Sequence, residues 1–135
     1  MVQHLLIILS SVLFVIPFLN FNFWPLSWVC FVPLFYLFKS SNLSSLKIGL
    51  VFGTIVTLIG TYWIPATIVN QTGADYTVSI VTHFFYAIYE SLFYIIVFLL
   101  FKFVSTKNYN KSYKYCLFIF FYIVLENYFP RIFPY

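Results

Sequence analysis

"TVSIVTHFFYAIYESLFYIIVFLLFKF", residues Thr77 to Phe103, contains one carboxylate, Glu90, and one lysine, Lys102, close to its end. The run exceeds the ~20 residues that a membrane-crossing helix needs. In hydrocarbon each backbone N–H and C=O must find its partner within the segment, so an unbroken apolar run of this length means helix. The stretch reads as a membrane span, and the rest of the chain is read around it.

Composition supports that solvent. Of 135 residues, 63% are hydrophobic and 7% charged, with mean hydropathy +0.98. A soluble domain carries about a quarter charged residues, so this chain cannot cover a globular surface with hydrated side chains. Five apolar runs are expected to form helices: Leu5–Leu19, Trp24–Phe38, Lys47–Val69, Thr77–Phe103 and Tyr113–Phe129. The fold class is therefore an all-α integral membrane bundle of about five transmembrane helices in one domain, 1–135, with no soluble catalytic domain. The first two runs are short, about 22 Å each at the helical rise. They either borrow interfacial residues or form a shallow hairpin. No basic residue precedes the first run and no small-x-small site follows it, so it is expected to be a retained helix rather than a signal peptide.

Charge sets the orientation. Lys39 and Lys47 flank the loop after the second run, and Lys102, Lys107, Lys111 and Lys114 crowd the loop after the fourth. The link after the first run has no charge, and the link after the third has Asp75 alone. The positive-inside rule then puts all six lysines in the cytoplasm, with the N-terminus cytoplasmic and the C-terminus periplasmic. The net charge of +4 reports topology, and no nucleic-acid partner is expected.

The second run opens "NFNFWPLSWVCFVPLF" (Asn20–Phe35). Trp24 and Trp28, with Trp63 of the third run, fall toward the outer interface, where an apolar ring with one N–H is well placed. Pro25 belongs in the first turn of its helix, where a missing N–H is tolerated. Pro33 lies deeper and is expected to kink the span.

Polar residues inside the spans are the candidates for function. Ser79, His83, Tyr86, Glu90 and Tyr94 recur at spacings of three and four, and so share one face of the fourth helix. A carboxylate near mid-span normally faces the bundle interior and is a site candidate by default. Glu90 either bonds a tyrosine, Thr57 or Thr61 and locks two helices, or meets a substrate. In the third run Gly49, Gly53, Thr57 and Gly60 form a small-residue face that lets another backbone come close, and packing within the chain is the simpler use of it. Cys30 and Cys116 start from opposite sides, as do His4 and His83, so neither a disulfide nor a paired metal ligand set is expected. No metal and no cofactor is expected. Glu126 closes the fifth run, with Arg131 following. The ending "FPRIFPY" reads as a link to further chain.

These residues resemble the bacterial apolipoprotein N-acyltransferases from about Pro17 onward. The likeness is carried by "FWPLSWVCFVPLF" (Phe23–Phe35), with Trp24, Pro25, Trp28 and Pro33 in a W-P-L-x-W-x-x-x-x-P pattern. It continues in "GLVFG" (Gly49–Gly53) and "GTYW" (Gly60–Trp63), and ends with Glu126 and "FPRIFPY", where Phe133 and Pro134 match and Tyr135 stands in place of the usual Trp. The resemblance implies a bacterial inner (cytoplasmic) membrane protein that passes an acyl chain from a phospholipid to the α-amino group of a lipoprotein's lipidated N-terminal cysteine. In that family the acyl group waits as a thioester on a cysteine of a periplasmic nitrilase-like domain. No position here corresponds to the family's catalytic cysteine, glutamate or lysine, so no catalytic residue is assigned. The implied partners are membrane phospholipid, a lipoprotein substrate and a separately encoded catalytic half. Alone, such a membrane fragment is expected to be inactive. The alternative is a self-contained five-span scaffold that binds lipid or a partner helix through the Glu90 stripe.

Overall fold

The computed structural model describes residues 2–40, 44–107 and 109–129, without the side chains at 27, 28, 39, 40 and 111. Phe133, Pro134, Arg131 and the indole of Trp28 lie outside the described residues. Within them, all regular structure is helical. Helix α1 covers Val2–Leu19, and a 3-10 turn at Phe21–Phe23 leads into the short α2, Leu26–Val29. Helices α3 (Val32–Ser40), α4 (Ser45–Gly60), α5 (Ile64–Thr72), α6 (Tyr76–Ser105) and α7 (Lys111–Tyr128) follow.

Local chemistry marks the boundaries. Ser44 Oγ accepts the Lys47 N–H at the start of α4, and Asp75 Oδ1 accepts the Thr77 N–H at 2.7 Å at the start of α6, each satisfying a donor the first turn cannot. Gly73 ends α5 at φ 69°, a left-handed C-cap that glycine adopts without strain.

Two expected spans are broken. The run Trp24–Phe38 is not one helix: α2 stops at Val29 and α3 restarts at Val32, so Pro33 lies in the first turn of a new helix instead of kinking an old one. At this break the Ser10 hydroxyl of α1 donates to the Cys30 carbonyl. The run Lys47–Val69 is likewise two helices, α4 and α5, meeting at 57° across Thr61–Trp63. Pro65 occupies the opening turn of α5. Helices α1 and α6 are long and apolar enough to cross a bilayer, and the bent pair α4–α5 is a third candidate. α6 has 30 residues, about 45 Å at the helical rise, and so outruns a ~30 Å hydrocarbon core. α7 reaches 18 residues but carries Lys111, Lys114 and Glu126.

Helices α4 and α6 form the centre. A Cβ on Gly49 would stand 2.6 Å from Ile95 Cα, and one on Gly53 2.7 Å from Ser91 Cα. The two backbones therefore touch where only hydrogen fits, and the glycine face packs within the chain. These pairs and Thr61 with His83 run in opposite order along the two helices, so α4 and α6 are antiparallel. Lys114 Nζ of α7 donates to the Ser105 carbonyl of α6 at 2.8 Å. Lys47, Lys102 and Lys114 thus share one end of the bundle. Around this pair the core is built of rings, with Phe52, Phe93 and Phe98 almost wholly buried. Phe31 meets Phe52, Phe118 and Tyr122, tying the broken second segment to α4 and α7. Outside, large apolar side chains such as Phe18, Phe85, Ile96 and Phe103 are exposed, the surface that lipid would cover.

Candidate functional site

At the end of the bundle away from those lysines the helices part, leaving a cavity of about 400 Å³. Helix α1 contributes Phe14, Val15 and Phe18, and α4 contributes Val56, Thr57 and Gly60. Thr61 and Trp63 reach it from the bend, Glu90 and Tyr94 from α6, and Tyr122 and Glu126 from α7. Gly60 explains part of the space: a Cβ built there meets nothing within 4 Å. The same glycine-bearing helix that touches α6 at Gly49 and Gly53 stands clear at this end.

All five residues of the α6 stripe are buried, and Glu90 is 3% exposed. They do different work. Ser79 Oγ donates to the Asp75 carbonyl one turn back, at 3.1 Å, and so is satisfied within its own helix. His83 Nε2 lies 2.9 Å from Thr61 Oγ1, and that hydroxyl in turn lies 2.6 Å from the Thr57 carbonyl. A hydroxyl has one proton. With that proton given to Thr57, Thr61 accepts from His83, which places the imidazole proton on Nε2. The bond crosses from α6 to the residue at which α4 ends, so His83 pins the bend. Tyr86 is buried in the helix interface, while Glu90 and Tyr94 reach the cavity.

The structure brings Glu126 to the same cavity as Glu90, a shared lining that sequence reasoning missed. Tyr122 was missed as well, although its spacing of four from Glu126 puts both on one face of α7. Of the motif positions, Gly60 and Trp63 line the cavity, and Gly49 and Gly53 pack the helix pair below it. Trp24 and Pro25, just before α2, do not line it, and Trp24 is half exposed. Cys30 is buried and Cys116 exposed, and the two are not joined in a disulfide. Among the described residues no cysteine, serine or lysine lines the cavity, and no group of three His, Cys, Asp or Glu side chains stands together for a metal. The arrangement can hold a ligand, and it offers no thiol for covalent transfer.

A family model, the apolipoprotein N-acyltransferase N-terminal domain, matches residues 10–134. The chain belongs to that family. The match covers each residue that lines the cavity, from Phe14 to Glu126. No curated protein and no solved structure matches the chain. As an apolipoprotein N-acyltransferase N-terminal domain the chain is a membrane fold, in keeping with its apolar helices.

Proposed function

We propose that this chain is the membrane portion of an apolipoprotein N-acyltransferase of the bacterial inner membrane, and that its task is to hold phospholipid rather than to perform the acyl transfer. The observation that carries this reading is the family match over residues 10–134. In the complete reaction an acyl chain leaves a phospholipid and reaches the α-amino group of a lipoprotein's N-terminal cysteine. Splitting such a transfer through a covalent intermediate requires an activated nucleophile, and among the described residues none that lines the cavity supplies a thiol. Its walls suit the binding half of the task. Phe14, Val15, Phe18 and Val56 offer apolar surface to an acyl chain or glycerol backbone, and Glu90, Glu126, Thr57 and Thr61 offer polar groups to what the chain is attached to.

The lysines gathered at the other end support a reading in which that end is cytoplasmic and the cavity lies toward the periplasmic face, where lipoprotein substrate and catalytic half would meet it. The test is an acylation assay of the purified 135-residue protein with phospholipid and a diacylated cysteinyl peptide. No triacylated product is expected from this chain alone, together with saturable phospholipid binding. Turnover by the chain alone, or an absence of phospholipid binding, would overturn the reading.

A further inference from the structure

We propose that the lysine end of the bundle carries a lipid site of its own, where a groove between α3 and α7 seats an acyl chain of an anionic phospholipid and Lys102, Lys107 and Lys114 hold its phosphate. The site lies at the opposite end from the cavity and is independent of the reading given for that cavity. Val32, Phe35 and Tyr36 of α3 and Tyr115 of α7 line the groove, which leaves about 420 Å³. Val32, Tyr36 and Tyr115 are exposed along it, so it opens on the surface that lipid would cover. Phe35 is packed deeper, its ring 5.0 Å from Tyr115 and 5.2 Å from Phe101 of α6 between centroids. Those contacts set the height of the groove. Phe101 directly precedes Lys102, and Tyr115 directly follows Lys114.

Charge selects the headgroup. The sequence has three side-chain carboxyls, Asp75, Glu90 and Glu126. Asp75 caps the far end of α6, and Glu90 and Glu126 line the cavity, so none of the three stands among the lysines. Lys114 Nζ uses one of its three donors on the Ser105 carbonyl at 2.8 Å, which holds the ammonium at the junction of α6 and α7. Lys107 Nζ stands 5.1 Å from the centroid of the Phe103 ring. Phe103, Tyr109 and Tyr113 are exposed at this end, and aromatic rings of this kind favour the headgroup layer. Basic clusters beside membrane helices attract anionic headgroups, with a similar increment for each lysine near the surface. A zwitterionic lipid would bring an ammonium of its own to three like charges, whereas an anionic lipid brings only the phosphate that they complement.

The experiment uses the full chain in detergent micelles with a bimane fluorophore on Cys116, which is exposed one residue beyond Tyr115, in a Cys30→Ala background. Quenching by brominated phosphatidylglycerol is measured against quenching by brominated phosphatidylcholine. The reporter stands at the lysine end, so lipid in the cavity does not register. Phosphatidylglycerol is expected to bind about tenfold tighter. Lys107→Gln and Lys114→Gln should each weaken phosphatidylglycerol about fivefold, the scale of one lysine at an anionic surface, and leave phosphatidylcholine within about twofold of the parent. Lys107 is exposed beyond α6, so its variant keeps the test valid if Lys114→Gln fails to fold. Val32→Trp should weaken both lipids by filling the groove. Equal quenching by the two lipids, a preference undiminished in Lys107→Gln, or full phosphatidylglycerol binding by Val32→Trp overturns the proposal. A dimer that Val32→Trp abolishes would give the groove to a second copy of the chain and overturn it as well. Selective quenching at Cys116 with no phospholipid bound in the cavity would sink the phospholipid-holding reading and leave this inference standing.

Discussion

Helix α4 meets α6 in two ways along its length. At the lysine end Gly49 and Gly53 lie so close to α6 that an added methyl would collide with Ile95 and Ser91 backbone atoms. At the other end Gly60 borders open space, and a side-chain bond from His83 to Thr61 spans the gap. One residue type thus serves opposite ends. In the first place it allows contact, and in the second it preserves a cavity. Close backbone packing supplies dispersion, so the closed end anchors the pair while the open end leaves the cavity.

That contrast orders the effects of substitution. Gly53→Ala should cost the most, about 1–3 kcal/mol as overpacking against fixed backbone, read as a loss of resistance to chemical unfolding in mixed micelles. His83→Ala should cost about 0.6–1 kcal/mol, the usual worth of one bond between helices in a membrane. Its effect should also show in spin-label distances across the α4–α5 bend, which would broaden. Gly60→Ala should stay within about 0.5 kcal/mol of the parent, since its new methyl enters free space. If Gly60→Ala proved as damaging as Gly53→Ala, the two ends of α4 would not differ in the way described.

The long apolar segments were legible in the sequence because hydropathy and helical periodicity report burial directly. The α6 stripe was legible for the same reason: Ser79, His83, Tyr86, Glu90 and Tyr94 share one face and all are buried. The breaks were not, because hydropathy records how apolar a run is and not the direction its axis takes. Residues 61–63 look no different from a continuing span. The signal passed over was proline, since Pro33 and Pro65 each sit in the opening turn of the helix after a break, a position proline favours. The family motif was read from "GLVFG" and "GTYW", and its residues prove to have separate structural duties: Gly49 and Gly53 pack, while Gly60 and Trp63 shape the cavity. That Glu90 and Glu126 line one cavity could not be read, because it depends on how α6 and α7 pair across a loop.

The account rests on the two ends of the bundle facing different compartments, and thiol labelling tests that directly. In a background carrying Cys30→Ala and Cys116→Ser, single cysteines are placed at Gln71, exposed at the end of α5, and at Lys107, exposed beyond α6. A membrane-impermeant maleimide is then applied to right-side-out spheroplasts. The expected result is reaction at position 71 in sealed spheroplasts and at position 107 only after permeabilisation. Labelling of position 107 from outside, with position 71 protected, would contradict it.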